Sequence, residues 1–275
     1  MSSSSEAVPA NAAPRKPAWG ARALRDAAIP LIAVAGLVIL WEAAVRLFGI
    51  REFLLPAPSA IWRDCIAIAG NIAWHTAATM NTIMLGFIAS IVISLPLAVL
   101  LTSSPAVANA IYPMLVFTQS IPKVALAPLL VVMLGANELP RVVITFLVAF
   151  FPLVISIATG FLAVPPELLE LGRSYKASRL RELYRIRLPY AVPFIFSGLK
   201  VAITLAVVGA IVAEFVNADR GLGYLIITST AFFKVPVAWG AVILLSVIGV
   251  VLFQAIVVIE RVFFPWSSSV EPVST

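Results

Sequence analysis

The stretch LPRVVITFLVAFFPLVISIATGFLA, Leu139–Ala163, decides the fold class of this 275-residue chain. It contains one charged residue, Arg141, and it exceeds the roughly 20 helical residues that cross the hydrocarbon core of a bilayer. The strict alternation of apolar and polar residues that is typical of a barrel strand is missing. Because a helix satisfies its own backbone hydrogen bonds in lipid, the stretch predicts a membrane-spanning helix.

Five further stretches have a similar apolar character, some only approximately. They run over 27–48, 79–101, 108–134, 191–215 and 237–263. With 139–163, they predict an all-α membrane protein with six transmembrane helices in one domain over 27–264. Residues 1–26, rich in Ser, Ala and Pro, predict a disordered tail, and 265–275 a second tail. The first apolar stretch is too long for the core of a signal peptide, so we expect it to be a helix of the mature protein.

The composition excludes several classes of protein. Hydrophobic residues make up 61% of the chain and charged residues 12%, which excludes a water-soluble enzyme and a disordered protein. The net charge is +6, but 19 Lys and Arg against 13 Asp and Glu are too sparse for a nucleic-acid-binding face. The single cysteine, Cys65, excludes a disulfide framework, and no catalytic triad, metal-ligand cluster or other catalytic residue is predicted.

The distribution of Lys and Arg predicts the orientation of the spans. The side that would hold both termini and the connection between the fourth and fifth spans carries the larger share of the basic residues. Because basic loops stay in the cytoplasm, we expect both termini to be cytoplasmic. On the outer side, 53–70 predicts an amphipathic interfacial helix capped by Ser59, with an ordinary connecting loop as the alternative.

The third span is broken by Pro113, Pro122 and Pro128. A broken helix survives at membrane depth only where protein or water satisfies its backbone, so the break predicts a wall of the solute path. A proline kink that serves packing alone is the alternative. The candidate path residues are Gln119, Ser120, Pro122, Lys123, Thr204 and Glu214. Glu214 lies near a helix end, where headgroup hydration or an ion pair would also explain it.

The longest cytoplasmic connection, 164–190, predicts two short helices. Pro165 and Pro166 can end one helix and begin another, and a second short helix is expected from Ser178, with Leu188-Pro189 ending it. Each helix has an apolar face that no bilayer is expected to cover. A partner protein would cover these faces; the alternatives are packing on the chain's own helix ends or binding to anionic lipid.

This loop resembles the EAA motif of the membrane subunits of ATP-binding-cassette importers, which reads Glu-Ala-Ala, three residues, Gly, nine residues, Ile-x-Leu-Pro. The same spacing here gives Glu170-Leu171-Gly172, then Lys176 at the glycine position, then Ile186-Arg187-Leu188-Pro189. Other segments resemble the nitrate/sulfonate/bicarbonate branch of these permeases, whose members include transporters of taurine and of thiamin-precursor pyrimidines. They are LPAPS at 55–59, IPKVALAPL at 121–129, GLGY at 221–224, and Glu260-Arg261 with Pro265-Trp266.

The resemblance, over 30–266, implies the MetI-like permease fold of a type I importer with cytoplasmic coupling helices. It implies contact with an ATPase through Glu170, Leu171, Gly172, Lys176, Ala177, Ile186, Leu188 and Pro189. The glycine of the family lies at the bend between the two helices. If the backbone at Lys176 is left-handed there, its side chain costs about 1–2 kcal/mol.

The resemblance also implies the partners and the place of the chain. The partners would be a cytoplasmic ATPase dimer, a second permease subunit in a homodimer, and an extracytoplasmic solute-binding protein. ATP and Mg would bind to the ATPase and no cofactor to this chain, which would be a multi-pass protein of the bacterial inner membrane. The solute would be a small anion, such as a sulfonate, nitrate or an aromatic carboxylate, or a thiamin-precursor pyrimidine.

Two other functions remain open from the residues themselves. An ion-gradient-driven secondary transporter would need an inverted repeat and an ion site near the midplane, and neither is evident. A membrane scaffold would bind a partner through 164–190 without moving a solute. No glycine of the chain is followed by lysine, so the chain has no Walker A sequence, and we expect ATP hydrolysis on another polypeptide.

Overall fold

The computed structural model of the chain describes residues 19–267. Over these residues the chain is helical, and the prediction of an all-α fold is confirmed. The helices are α1 (Trp19–Leu47), α2 (Pro58–Ala67), α3 (Ala69–Ser103), α4 (Pro105–Gln119), α5 (Ala127–Leu134), α6 (Glu138–Leu162), α7 (Pro166–Ser174), α8 (Arg179–Glu182), α9 (Leu188–Val216), α10 (Leu222–Ala231) and α11 (Val235–Phe263). A 3-10 turn, Lys123–Leu126, precedes α5, and a π turn, Leu183–Arg187, follows α8.

The chain divides into two compact units, Met1–Ile50 and Arg51–Thr275. In the first unit, α1 begins at Trp19, so 19–26 are helical although the sequence analysis places them in a disordered tail. The apolar stretch alone suggested a start at 27, but the Ala, Leu and Arg residues just before it also favour a helix. Residues 1–18 and 268–275 of the two predicted tails lie outside the described residues.

The second unit contains helices that can cross a membrane. Among the residues that the structure describes, four helices meet this condition by length and composition, and a fifth span results if α4 and α5, bent by 78°, are counted as one. These five spans correspond to the predicted stretches from 79–101 to 237–263. The predicted sixth, 27–48, falls in α1, whose side chains are only partly described, so the total of six stays a prediction.

The core of this unit is built around α6, which packs against α3 and α9. Gly86 of α3 and Gly209 of α9 both approach Thr145 of α6. A Cβ atom on Gly86 would lie 2.5 Å from the Thr145 Cγ2 atom, and one on Gly209 would lie 3.0 Å from its Cα atom. Small residues therefore allow three helices to pack backbone against backbone, as is common in membranes. Ser90 of α3 links two helices by donating to the carbonyl oxygen of Phe146.

Two elements differ from the sequence analysis. The helix α2 begins at Pro58 after Ala57, and no side chain caps it, so Ser59 is not its N-cap. Proline fits the first turn and holds the residue before it extended, which places the start one residue earlier. The helix α10 was missed, because its ten residues are too few for a window sized to a membrane span.

Candidate functional site

The turn at the end of α7 has the backbone of a helix stop that usually requires glycine. The amide of Ala177 donates to the carbonyl oxygen of Gly172 at 3.0 Å, and the amide of Lys176 donates to that of Arg173 at 2.8 Å. These two bonds form a Schellman motif, whose left-handed position is most often glycine. Lys176 occupies that position with φ +53°. The condition set in the sequence analysis for a strained Lys176 is therefore met.

The two short helices of the loop touch at a residue without a side chain. Gly172 is buried, and a Cβ atom built there would lie 2.7 Å from the Cδ1 atom of Ile186. A small residue at 172 thus lets α7 approach the π turn closely enough for Ile186 to pack across it. The motif position held here by Gly172 and the isoleucine position fourteen residues later in the chain, Ile186, therefore form one packing contact.

The second short helix begins as predicted and continues further than predicted. The hydroxyl of Ser178 accepts from the amide of Arg181 at 3.4 Å and caps α8. The amide of Leu188 then donates to the carbonyl oxygen of Leu183, the i to i−5 bond of a π turn. Leu188-Pro189 was expected to end this helix, and that is wrong: Pro189 lies in the first turn of α9, where a missing N–H is tolerated. The helical segment runs from Arg179 to Val216.

Arg187 ties the π turn to the end of α6. Its guanidinium forms an ion pair with Glu182 at 2.8 Å and donates to the carbonyl oxygen of Phe161 at 3.3 Å. Both charged side chains of the pair are largely buried. Because a C-terminal carbonyl of α6 has no partner within its own helix, the guanidinium satisfies it and fixes the loop to the transmembrane core.

The outer surface of the loop carries large apolar side chains. Leu171 of α7, Leu180 of α8 and Tyr184 of the π turn are exposed by 54%, 74% and 69%, and Tyr175 by 78%. Glu170 is exposed beside them, whereas Ala177 is half-buried. Several exposed large apolar side chains on one polar loop are typical of a protein contact.

The broken third span places four of the predicted path residues together. Gln119 ends α4, and Ser120 and Pro122 form the break before the 3-10 turn. The ammonium of Lys123 donates to the carbonyl oxygen of Gln119 at 2.8 Å and lies 4.8 Å from the centre of the Phe151 ring. A cation at the C-terminal end of a helix is stabilised by the helix dipole, so Lys123 stabilises the break.

The other two predicted path residues lie elsewhere. Thr204 is exposed and lines an apolar cleft of about 680 Å³ between α9 and α11. Glu214 is only 2% exposed, and its carboxylate is enclosed by protein. In this conformation Glu214 is buried among protein groups, and its assignment to the path stays a prediction.

Comparison with known proteins connects this geometry to a family. Residues 90–266, which include the break and the loop, match the family described as "Binding-protein-dependent transport system inner membrane component". The chain belongs to this family. It is a membrane subunit of a binding-protein-dependent transport system, a permease, and the predicted importer-permease function is confirmed.

Three relatives and one solved structure illustrate the match. The permease is 33% identical over 231 residues to the formylaminopyrimidine transport permease protein ThiX of Halalkalibacterium halodurans, covering 84% of this chain and 92% of that protein. It is 32% identical to the riboflavin transport system permease protein RibX of Chloroflexus aurantiacus (85% and 88% covered). It is 25% identical to the taurine transport system permease protein TauC of Escherichia coli (94% and 96%). An inward-facing structure of the MetNI methionine ABC transporter matches the fold with a TM-score of 0.61 at 20% identity, covering 67% of this chain and 92% of that one.

A buried polar cluster at the other end of the permease was not predicted. The carboxylate of Glu214 accepts from the amide of Gly223 at 2.7 Å and from the hydroxyl of Thr79 at 3.1 Å. Thr79 in turn accepts from the amide of Leu222 at 2.7 Å, and the Nδ1 atom of His75 accepts from that of Gly221 at 3.0 Å. The first amides of α10 therefore receive their acceptors from α3 and α9.

The GLGY segment contains the signal for this cluster. A Cβ atom on Gly221 or Gly223 would collide with the Glu214 carboxylate, and Gly221 also has φ +124°. Two glycines at the start of a short helix mark a place where an acceptor approaches the backbone closely. A carboxylate seven residues before Gly221 was a candidate for that acceptor.

Proposed function

We propose that the permease imports its solute by coupling to a separate cytoplasmic ATPase through the 164–190 loop. The observation that carries this proposal is the loop geometry: a left-handed turn at the glycine position of the EAA motif, between two short helices with exposed apolar faces. Family membership supports it, since binding-protein-dependent systems need a membrane subunit that responds to other components. ATP and Mg would bind to the ATPase.

The loop residues divide into contact residues and positioning residues. Glu170, Leu171 and Lys176 are exposed and would touch the ATPase. Gly172 and Ile186 hold the two short helices at a fixed distance, and Ala177 closes the turn between them. Leu188 and Pro189 join the second helix to α9, so a movement of the loop would move the spanning helix with it.

The remaining components of the proposal follow from the family and from the charge distribution. A second copy of the permease would complete the solute path in a homodimer, and an extracytoplasmic binding protein would deliver the solute. Both termini and the loop would lie in the cytoplasm, since the basic residues favour that side. Gln119, Ser120, Pro122 and Lys123 would line the path at the break, and Thr204 would line it at the apolar cleft between α9 and α11.

For the solute, we infer a small nitrogen heterocycle of the pyrimidine type. The identities with the formylaminopyrimidine and riboflavin permeases, 33% and 32%, exceed the 25% with the taurine permease. A free ammonium at Lys123 would favour an anionic solute, but this ammonium is engaged with Gln119 and Phe151. The bound ligand of the cognate binding protein, identified by mass spectrometry, tests this inference; a sulfonate there would contradict it.

Site-directed crosslinking tests the loop contact. In a Cys65→Ser background, Tyr184→Cys would carry a photoactivatable crosslinker on the loop, and the exposed Trp62→Cys on α2 would be the matched control. We expect an adduct with the co-expressed ATPase from position 184 and none from position 62.

Two results would overturn the proposal. One is the absence of any ATPase adduct at 184 together with normal solute uptake after Leu171→Asp. The other is uptake that survives ATP depletion and stops when an ion gradient is collapsed, which would indicate a secondary transporter.

A further inference from the structure

A cleft of about 520 Å³ lies between the cytoplasmic end of α3 and the two short helices of the loop. Its lining includes the apolar side chains of Val99, Leu180 and Leu183 and the basic side chains of Arg173 and Arg179. Arg187 and Glu182 also line it, but they neutralise each other in their ion pair. Among the described residues, no carboxylate pairs with Arg173 or Arg179, so the cleft is electropositive.

The packing of the helices gives the depth of the cleft. Ser94 of α3 bonds to Phe150 of α6, and the two helices run parallel, so Val99 and Thr102 lie level with 155–158 of α6. Gly198 of α9 packs against Ser156 of α6, so Val99 and Thr102 also lie at the depth of Gly198.

The end of α11 marks the same level. Phe264 lies 5.3 Å from Phe196 between ring centres, and Lys200 forms an ion pair with Glu260 at 2.5 Å. Arg261, in the last turn of α11, and Trp266, just after the helix, are exposed at this depth. Exposed tryptophan and arginine at the end of an apolar helix mark the headgroup region of a bilayer. The cleft therefore opens at headgroup depth.

We propose that this cleft binds the headgroup of one anionic phospholipid of the cytoplasmic leaflet, a proposal that rests on the cytoplasmic orientation of the loop. Guanidinium groups bind phosphate oxygens in a bidentate manner, and two unpaired arginines in the lining of one cleft suit a phosphodiester. Basic pockets at the cytoplasmic ends of transmembrane helices bind such headgroups. The apolar side chains of Val99 and Leu183 would contact the glycerol and the first carbons of the acyl chains.

A free phosphate or a nucleotide shares the phosphate chemistry, but the lipid fits the site better. Half of the lining is apolar, which a free phosphate would leave uncovered. Leu95 and Leu100, one turn before Val99 and directly after it in α3, are exposed and would offer a surface along which an acyl chain can extend into the membrane. The bound lipid would lie against the Lys176 turn and would stabilise the orientation of α7 relative to α3.

Native mass spectrometry of the purified permease, titrated with phosphatidylglycerol and with phosphatidylcholine in detergent, tests the proposal. We expect one phosphatidylglycerol molecule per chain to be retained. The double variant Arg173→Gln with Arg179→Gln should retain it roughly 30-fold more weakly, since two basic groups next to an anionic headgroup are lost. The matched control Arg181→Gln with Arg185→Gln removes the same charge from loop residues outside the cleft and should bind as the wild type does.

The outcomes separate the sources of the phosphate. Equal losses in the two double variants would show only general attraction to charge, and would overturn the site. Inorganic phosphate or ATP could also displace the lipid from the wild type at concentrations that do not displace phosphatidylglycerol from the Arg173→Gln, Arg179→Gln variant. That result would assign the cleft to a soluble anion and would also overturn the lipid proposal. Retention by Arg173→Lys with Arg179→Lys that lies between that of the wild type and that of the glutamine variant would support it, because lysine keeps the charge and loses the bidentate contact. Because no ATPase is present, failure here leaves the proposed coupling function untouched.

Discussion

Replacing Lys176 with glycine should stabilise the turn between the two short helices. The left-handed conformation at φ +53° costs a residue with a Cβ atom about 1–2 kcal/mol, and glycine avoids this cost. Glycine also gives the unfolded segment more freedom, which offsets about 0.5–1 kcal/mol of the gain. The net gain is therefore about 1 kcal/mol, and it applies to local opening of the loop rather than to global unfolding.

Hydrogen exchange measured by mass spectrometry reports this local opening. The amide of Ala177 is bonded to Gly172 only while the turn is closed, so its exchange should slow about fivefold in Lys176→Gly. Lys176→Ala is the control, because it removes the ammonium and keeps the strained Cβ atom; its exchange should match that of the wild type. ATP-driven uptake should be kept or improved in Lys176→Gly.

Two results would refute this reasoning. Equal slowing in the glycine and alanine variants would show that the ammonium, and not the backbone, destabilises the turn. A large loss of uptake in both variants with normal expression would show that the lysine side chain itself makes a contact that transport requires.

Three further predictions concern packing and the buried cluster. Gly240→Ala would place a Cβ atom on the Cys65 sulfur and should lower the unfolding free energy by about 1–3 kcal/mol. Adding Cys65→Ala removes the collision and should restore the lost stability. If thermal unfolding shows the full loss in the double variant, this explanation is contradicted. Glu214→Ala leaves the buried Gly223 amide without its acceptor and should lower the unfolding free energy by about 1–3 kcal/mol. Glu214→Gln keeps a carbonyl oxygen there and should lower it less. Equal melting temperatures of the two variants would refute the role of that acceptor. Burial and then the Asp64 carboxylate raise the pKa of the Cys65 thiol, so its thiolate fraction and maleimide labelling near neutral pH should be low and rise with pH, and labelling should be faster in Asp64→Asn; unchanged labelling would contradict the electrostatic cause.

The parts of the fold that depend on local sequence were predictable. The helices α6 and α11 begin and end within two residues of the predicted stretches, because hydrophobicity along one segment decides whether it enters a membrane. Ser178 was expected to begin α8, and its hydroxyl caps that helix by accepting from the amide of Arg181, three residues later in the chain. The spacing of the EAA motif predicted the bend at Lys176, since the stop of a short helix is itself a local structure.

The parts that depend on contacts between distant segments were not predictable. Glu214 was interpreted as a path residue or a headgroup anchor because nothing near it in the chain shows that α10 returns to meet it. Leu188-Pro189 was expected to end a helix, because proline usually does. Here the helix continues through a π turn, in which the amide of Leu188 donates to the carbonyl oxygen of Leu183, and Pro189 lies in the first turn of α9. The contact between Gly172 and Ile186 joins two motif positions that the sequence shows only as a spacing.

The continuity of the segment from Arg179 to Val216 has a mechanical consequence. Its 38 residues form a rod about 57 Å long at 1.5 Å per residue. A tilt of about 5° about the Arg179 end would displace the far end by about 5 Å, close to the rise of one helical turn. The far end of this rod is bonded to the first turn of α10 through Glu214 and Gly223, so a small movement of the 164–190 loop would be transmitted to α10 as a larger displacement.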